Sequence, residues 1–350
     1  MGTVAEITAR RPLGRSGIDI SPVGIGAWSM GGDAWASGVG AADDRDSIAA
    51  IHRAVELGVN WIDTAAVYGL GRSEDVVGRA VRALPDADRP FVFTKGGLVW
   101  DPEDPMKPPV QSIAPESLRR ECEASLRRLG VEAIDLYQLH WPDAFGVPIE
   151  DSWQTMLDLR SEGKVRAIGV SNFDVDLLER CAAVGHVDCE QPPFSLIDRA
   201  AAKAVVPWCA ANQTGVIVYS PMQSGLLSGR FTRERALSLS SSDYRTQIRW
   251  FQEPELSRGL ALQDALRPIA DRHGVGVAAV AIAAVVAWPG ITGAIAGART
   301  AEQVEGWIAA GTLEFTREDI DDIEAALRAT GAGTGPVALA DGCVTDRGAT

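Results

Sequence analysis

The stretch Asn60-Trp61-Ile62-Asp63-Thr64-Ala65-Ala66-Val67-Tyr68-Gly69 decides the fold reading of this chain. Its first three residues, after the break at Gly58, read as a short apolar strand. Asp63 then opens a loop that carries Tyr68 and Gly69. A strand that ends on an acid, with a phenol five residues later, suits packing poorly. It suits a site where a phenol gives up a proton. If the same strand-then-loop unit recurs along the chain, the acid and the phenol lie at one mouth of a parallel sheet.

The unit does recur. Upstream, residues 12–20 read as a small hairpin, Val23-Gly24-Ile25-Gly26 as a first strand, and 46–57 as a helix with apolar residues at helical spacing. Downstream, strands are predicted at 91–94, 133–138, 165–170, 186–190, 215–219 and 291–295. Helices alternate with them at 74–83, 115–129, 151–161, 175–184, 201–212 and 301–310. Two more helices, 260–272 and 277–287, precede the last strand. Eight short strands alternating with amphipathic helices predict a single α/β domain, a (β/α)8 barrel over residues 10–328. The competing open doubly wound sheet needs a GxGxxG turn after its first strand, and Gly24, Gly26 and the glycines beyond do not give that spacing.

Two long segments of low periodicity, 99–113 and 231–259, follow predicted strands and therefore belong at the C-terminal face of the barrel. The Gly, Ala and Thr-rich tail, 329–350, is expected to be flexible.

Composition narrows the partners. The 350 residues carry a formal charge of -14 with the basic residues scattered, which excludes a basic face for nucleic acid or anionic membrane. The five cysteines show no CxxC spacing and the four histidines no metal motif, so neither a disulfide framework nor a metal site is expected. Residues 1–15 contain no apolar stretch of the signal-peptide kind, and the longest apolar run, 275–288, is too short to span a bilayer. A cytoplasmic protein is expected; the oligomeric state is not legible.

In a parallel barrel the residues just past each strand converge on one mouth. Those residues are Asp63 and Tyr68, Lys95, His140, Ser171 with Asn172, Gln191, Tyr219 to Met222, and Gly297 to Arg299. Singly, each has a structural explanation: a capping Asp, a half-buried Tyr, a solvated Lys, a core His. Together they bring an acid, a phenol, an amine and an imidazole to one cleft. A tyrosine of ordinary pKa near 10 is a weak donor at neutral pH, and a nearby Lys95 ammonium is expected to lower it. Asp63 would hold Lys95 charged, and His140 would hydrogen-bond a carbonyl oxygen. The reaction best served is proton delivery to a carbonyl during hydride reduction.

These stretches, Asp63-Thr64-Ala65…Tyr68-Gly69…Ser73-Glu74, Thr94-Lys95, Leu139-His140, Gly169-Val170-Ser171-Asn172-Phe173, Tyr219-Ser220-Pro221-Met222…Gly225-Leu226-Leu227-Ser228-Gly229-Arg230 and Gly297-Ala298-Arg299…Gln303, resemble the aldo-keto reductase superfamily, in its bacterial aryl-alcohol-dehydrogenase-like and channel-β-subunit-like branch. The resemblance implies a barrel that uses NADPH, or NADH, to reduce a small carbonyl substrate. By motif position it implies that Asp63, Tyr68, Lys95 and His140 form the catalytic set. Ser171, Asn172 and Gln191 would hold the nicotinamide carboxamide and Tyr219 would stack on the ring. Ser220, Pro221, Met222, Gly225, Leu227 and Arg230 would surround the pyrophosphate, and Gly297, Arg299 and Gln303 the adenosine phosphate. Gly26, Ala27 and Trp28 would line the nicotinamide end, with Trp28, Trp100 and Trp141 walling the substrate, and Arg245 would reach the cofactor from the long segment. Where the family carries Glu-Asn after the glutamine, this chain has Gly306 and Trp307, so stacking of adenine on Trp307 is expected instead. Gln191 is followed by an unusual Pro192-Pro193.

Two other readings were open on the residues alone. One is a Schiff-base aldolase using Lys95, which pairing with Asp63 would oppose. The other is an NADPH-binding redox sensor or regulatory subunit with slow turnover.

Overall fold

A computed structural model describes residues 6–38, 40–240 and 243–339. Eight parallel strands close into a barrel: β1 (Val23–Gly26), β2 (Trp61–Asp63), β3 (Phe91–Gly96), β4 (Ile134–Leu139), β5 (Val165–Ser171), β6 (Cys189–Gln191), β7 (Gly215–Val218) and β8 (Gly293–Gly297). Each strand pairs with its neighbours in sequence, and β8 closes on β1 with Gly297 opposite Gly26. The (β/α)8 reading holds and the open sheet is excluded.

The two-residue period of a strand separates the two sides of this wall. Ile62, Val92, Tyr137 and Ile168 point out into the helix layer and join the large outer core. Trp61, Phe93, Leu136, Ala167, Cys189, Ile217 and Ile295 point in and fill the barrel. Further along the same strands, two residues on in four of them and four residues on in β5, the inward positions become Asp63, Lys95, Gln138, Gln191 and Ser171, all buried. A polar layer thus rests on an apolar plug. The far end of the plug is sealed by Leu13, Ile18 and Ile20 of the hairpin that pairs Arg11–Pro12 with Asp19–Ile20. Gly24 is required by this filling: a Cβ there would lie 2.2 Å from the Trp61 ring.

The helices match expectation in place more than in length. The helix at Pro115–Leu129 stops at Gly130, whose φ of 67° is the left-handed C-terminal cap. The expected helix 201–212 divides into a 3-10 turn, Ala200–Lys203, and Val205–Ala211. The expected 260–272 begins earlier and breaks before Pro268, giving Glu255–Ala265 and Arg267–His273. The expected 301–310 is helical only over Ala301–Glu305, and a 3-10 turn follows at Ile308–Gly311.

The helix Arg317–Thr330 was not predicted, although Thr316 and Asp319 close a capping box in front of Ile320, Ile323 and Leu327. Within the segment 99–113, Leu98–Val99 and Val110–Gln111 pair as a small antiparallel ribbon. The segment 231–259 contains short helical turns at Arg233–Leu237, Tyr244–Gln247 and Arg249–Phe251.

The tail differs from expectation as far as it is described. Arg199, only 2% exposed, donates from Nε to the Pro336 carbonyl at 2.6 Å and from Nη1 to Ala332 at 3.4 Å, and Leu339 is buried. Backbone carbonyls satisfy this buried cation, so residues 331–339 are docked; residues 340–350 lie outside the described residues. The apolar run expected as a buried helix is one, Val277–Val286. Among the described residues, no single helix is long and apolar enough to cross a membrane, and no group of three metal-ligating side chains is present.

Candidate active site

The polar layer at the open end is one connected network. Asp63 is at the last position of β2 and Lys95 one residue before the end of β3, which brings their side chains together across the pair of strands. Lys95 Nζ donates to Asp63 Oδ2 at 2.5 Å and to the Thr64 carbonyl at 3.0 Å. Asp63 Oδ1 accepts from Gln191 Nε2 at 2.9 Å, and that amide also donates to Gln138 Oε1 at 3.3 Å. Both oxygens of Asp63 are therefore held, one by a cation and one by an amide.

Tyr68 approaches this pair from the loop after β2. Its hydroxyl lies 3.5 Å from Lys95 Nζ, and its ring meets the His140 ring edge-on at 5.6 Å. Local hydrogen bonds fix the loop: Ser73 Oγ bridges Thr64 Oγ1 and the Ala27 carbonyl, each at 2.8 Å. The close approach of Gly31 and Gly69 completes the junction, since a Cβ on Gly69 would lie 2.3 Å from the Gly31 carbonyl.

Burial and charge set the protonation states. Burial opposes the charge on Lys95, but Asp63 and Tyr68 outweigh it and leave the pKa raised. Burial also dominates at Tyr68 and raises its pKa despite Lys95. The expectation that Lys95 would lower the Tyr68 pKa is thus corrected, because loss of water around the phenol outweighs the nearby cation. His140 is pushed well below the ordinary histidine range by burial first and by Lys95 second, so its ring is neutral at physiological pH. Its buried Nδ1 has no hydrogen-bond partner among the described residues.

The second half of the site is built on β5, β6 and β7. Ser171 Oγ donates to the Gln191 carbonyl at 2.8 Å. Asn172, in the left-handed region with a φ of 65°, donates from Nδ2 to the His140 carbonyl and to Ser171 Oγ, both at 3.0 Å. Its Oδ1 accepts from the Tyr219 hydroxyl at 2.8 Å. The unusual Pro192-Pro193 leaves this intact: Pro193 bridges to Tyr219 beside it.

After β7 the chain turns sharply, with Ser220, Gln223 and Ser224 at φ values of 58°, 47° and 53°. Three non-glycine residues held there within five positions are backbone strain of the kind that collects at ligand clamps. Met222 is half-buried in this turn, Leu227 is buried in the outer core, and Arg230 is exposed beyond it. Gly225 and Gly297 both face open space, where a side chain would meet nothing within 4 Å.

The remaining predicted residues divide. Gly26 and Ala27 are buried at the end of β1, where the Ala27 N–H donates to the Asp63 carbonyl at 2.8 Å. Trp28 and Trp100 join a separate aromatic cluster with Trp35 and Tyr68, and Trp141 is half-buried after His140. Arg299 approaches the place where Gly40 would carry a Cβ, to 3.4 Å, and its backbone N–H donates to Gln303 Oε1 at 2.7 Å. Arg245 is engaged locally by Asp243, at 2.9 and 2.6 Å, and Tyr244 is the residue its segment brings to the mouth, 5.1 Å from Trp28. Trp307 is 2% exposed within the main core, so its ring is not available to stack on adenine. Helix packing has claimed it.

Sequence reasoning missed Gln138, Trp35 and Tyr244. Gln138 was findable, since strand alternation from Leu136 turns it inward. Trp35 and Tyr244 lie on loops, whose course no periodicity predicts.

The polar side chains of Ser171, Asn172 and Gln191 beside a half-buried phenol and a buried ammonium, a strained turn and two open glycine positions make a cleft that fits a nicotinamide coenzyme. The Lys95 amine, buried and charged against Asp63, is a poor nucleophile, which removes support for the aldolase reading.

Comparison with known proteins agrees. The aldo/keto reductase family model matches residues 22–328. The aldo-keto reductase YhdN of Bacillus subtilis is 34% identical over 316 residues, covering 90% of this chain and 92% of that protein. The NADH-specific methylglyoxal reductase of Escherichia coli is 33% identical over 317 residues, covering 88% and 95%. The solved structure of the glycerol dehydrogenase AKR11B4 from Gluconobacter oxydans superposes with a TM-score of 0.85 at 33% identity, over 93% of this chain and 97% of that one. With its barrel, its acid–amine–phenol cluster and these relatives, this chain belongs to the aldo/keto reductase family and is an oxidoreductase that reduces aldehydes or ketones with a nicotinamide coenzyme.

Proposed function

We propose that Tyr68 gives the proton to the carbonyl oxygen and that Asp63, Lys95 and His140 make that transfer possible. The supporting observation is the contact of the Tyr68 hydroxyl with a lysine whose ammonium is fixed by Asp63 and Thr64. As the proton leaves, negative charge grows on the phenol oxygen 3.5 Å from that ammonium. Neutral His140 carries one ring N–H and orients the substrate oxygen toward Tyr68. The coenzyme, when bound, supplies the hydride. Ser171, Asn172 and Gln191 hold its carboxamide, Tyr219 its ring, and Ser220 to Met222, Gly225 and Arg230 its pyrophosphate.

Arg299 and Gln303 take the adenosine end, and the arginine favours the phosphate of NADPH over NADH. The Escherichia coli relative is named as NADH-specific, so both coenzymes belong in the test. The substrate is a small aldehyde or ketone that passes Trp28, Trp100 and Trp141.

The test is a panel of methylglyoxal, glyceraldehyde and an aromatic aldehyde, followed by loss of reduced-coenzyme absorbance with NADPH and with NADH. Wild type should consume NADPH faster at equal concentration. Tyr68→Phe should bind NADPH as wild type does while turnover falls by roughly 10²–10⁴-fold. Unchanged turnover in that variant rules out the proposed proton donor.

A further inference from the structure

Glu190 is a buried acid next to Gln191 that the proposed reaction does not use. It sits on β6 between Cys189 and Gln191, whose side chains point into the barrel, so its own points out into the helix layer. Its side chain is fully buried, and no basic group pairs with it among the described residues. A carboxyl in such a place costs stability, and an apolar residue of the same volume would pack without that cost.

What the carboxyl touches explains its presence. Oε1 accepts from the Phe173 backbone N–H at 3.2 Å, while Oε2 is buried with no hydrogen-bond partner among the described residues. The Asn172 N–H donates to the Gln191 carbonyl at 3.3 Å, so the next N–H, that of Phe173, is the one left to the carboxyl. Phe173 follows Asn172, the residue held at a φ of 65° whose side chain ties His140, Ser171 and Tyr219 together. The regular ladder between β5 and β6 ends at Ser171 opposite Gln191. Past that point no strand is available to receive the Phe173 N–H, and Phe173 itself is buried. We infer that Glu190 is a positioning residue: its carboxyl replaces the missing ladder bond and fixes the Asn172 turn in the conformation that receives the coenzyme's carboxamide.

Burial first of all raises the Glu190 pKa well above the carboxylate range. The neutral acid still offers an acceptor to Phe173, so glutamine should serve as well. This inference rests on the assignment of Ser171, Asn172 and Gln191 to the carboxamide.

The experiment is equilibrium binding, read by tryptophan fluorescence, of three probes to the full chain. They are NADP+, its 3-acetylpyridine analogue, in which an acetyl group replaces the carboxamide, and 2′,5′-ADP, which lacks the pyridine altogether. Wild type should favour NADP+ over the acetyl analogue by about tenfold, the loss of one or two hydrogen bonds. Glu190→Leu should reduce that preference to about twofold or less while 2′,5′-ADP binding stays unchanged. Glu190→Gln should keep the full preference. Glu190→Met carries the same expectation as Glu190→Leu if the leucine variant does not fold. A retained preference in the apolar variants, or a parallel loss for all three probes, overturns the positioning role. Loss of the preference in Glu190→Gln overturns it as well. Absence of any preference in wild type refutes the carboxamide assignment itself, and the role of Glu190 with it.

Discussion

Tyr68 and Lys95 show how a single residue's chemistry is decided by competition between water and charge. Each lies against a partner that favours one protonation state, yet burial is the largest influence on both. Lys95 remains charged because Asp63 is at 2.5 Å, whereas Tyr68, further from its cation, remains protonated. The resting site is therefore loaded: the proton sits on the phenol and the compensating charge is in place before substrate arrives. His140 loses its charge for the same reason, and a neutral ring suits orientation of an oxygen. Arg299 tests the other end of the cleft. Arg299→Ala should weaken NADPH by roughly ten- to hundredfold, the range for a hydrogen-bonded charge on phosphate, and leave NADH within about twofold. Measured dissociation constants for both coenzymes check this, and equal losses would remove the phosphate role.

At the scale of elements, the site depends on turns more than on strands. The turn at Asn172 and the run Ser220 to Ser224 are held by side-chain hydrogen bonds to other strands and loops, from Asn172 to His140 and Tyr219 and from Ser195 to Gln223. The helix Arg317–Thr330 illustrates what such bonds are worth. Burial opposes the charge of Asp319, but His273, Arg272 and Thr316 overcome it and hold the carboxyl below the ordinary range. Its folded pKa being depressed, Asp319 contributes stability that is fully present above its unfolded pKa near 3.8 and is lost as pH falls below it. Asp319→Asn should therefore lower unfolding free energy by about 2 kcal/mol at pH 7. That difference should shrink as pH drops below about 4, and urea unfolding at a series of pH values measures it. A gap that grows toward acid would contradict the sign.

Across the whole molecule the barrel is a layered plug, apolar at the hairpin end and polar at the mouth, with every inward strand position committed to one layer. The plug leaves no slack at Gly24, where Trp61 occupies the space of a side chain. Gly24→Ala should destabilise the protein by roughly 1–3 kcal/mol, seen as a lowered thermal midpoint, because the Trp61 ring is enclosed by the barrel and cannot withdraw. An unchanged midpoint would mean that the plug can shift. At the mouth the buried charges of Lys95 and Asp63 balance as a pair.

The barrel, its strand order and the set Asp63, Tyr68, Lys95 and His140 were legible in the sequence because strand alternation and helix spacing are local properties. A parallel barrel then turns them into position: whatever follows a strand must stand at the mouth. Gln138 and the helix at 317–330 obey the same local rules, and their signals were present though not read. What tertiary structure alone decided concerns residues that compete for partners. Trp307 went to the core and not to adenine; Arg245 paired with Asp243; Arg199 drew residues 331–339 onto the body; Tyr68 kept a raised pKa beside a lysine. The stretch from Asn60 to Gly69 names the acid and the phenol, but the distances that make them a site arise only when β2 and β3 lie side by side and water is excluded between them.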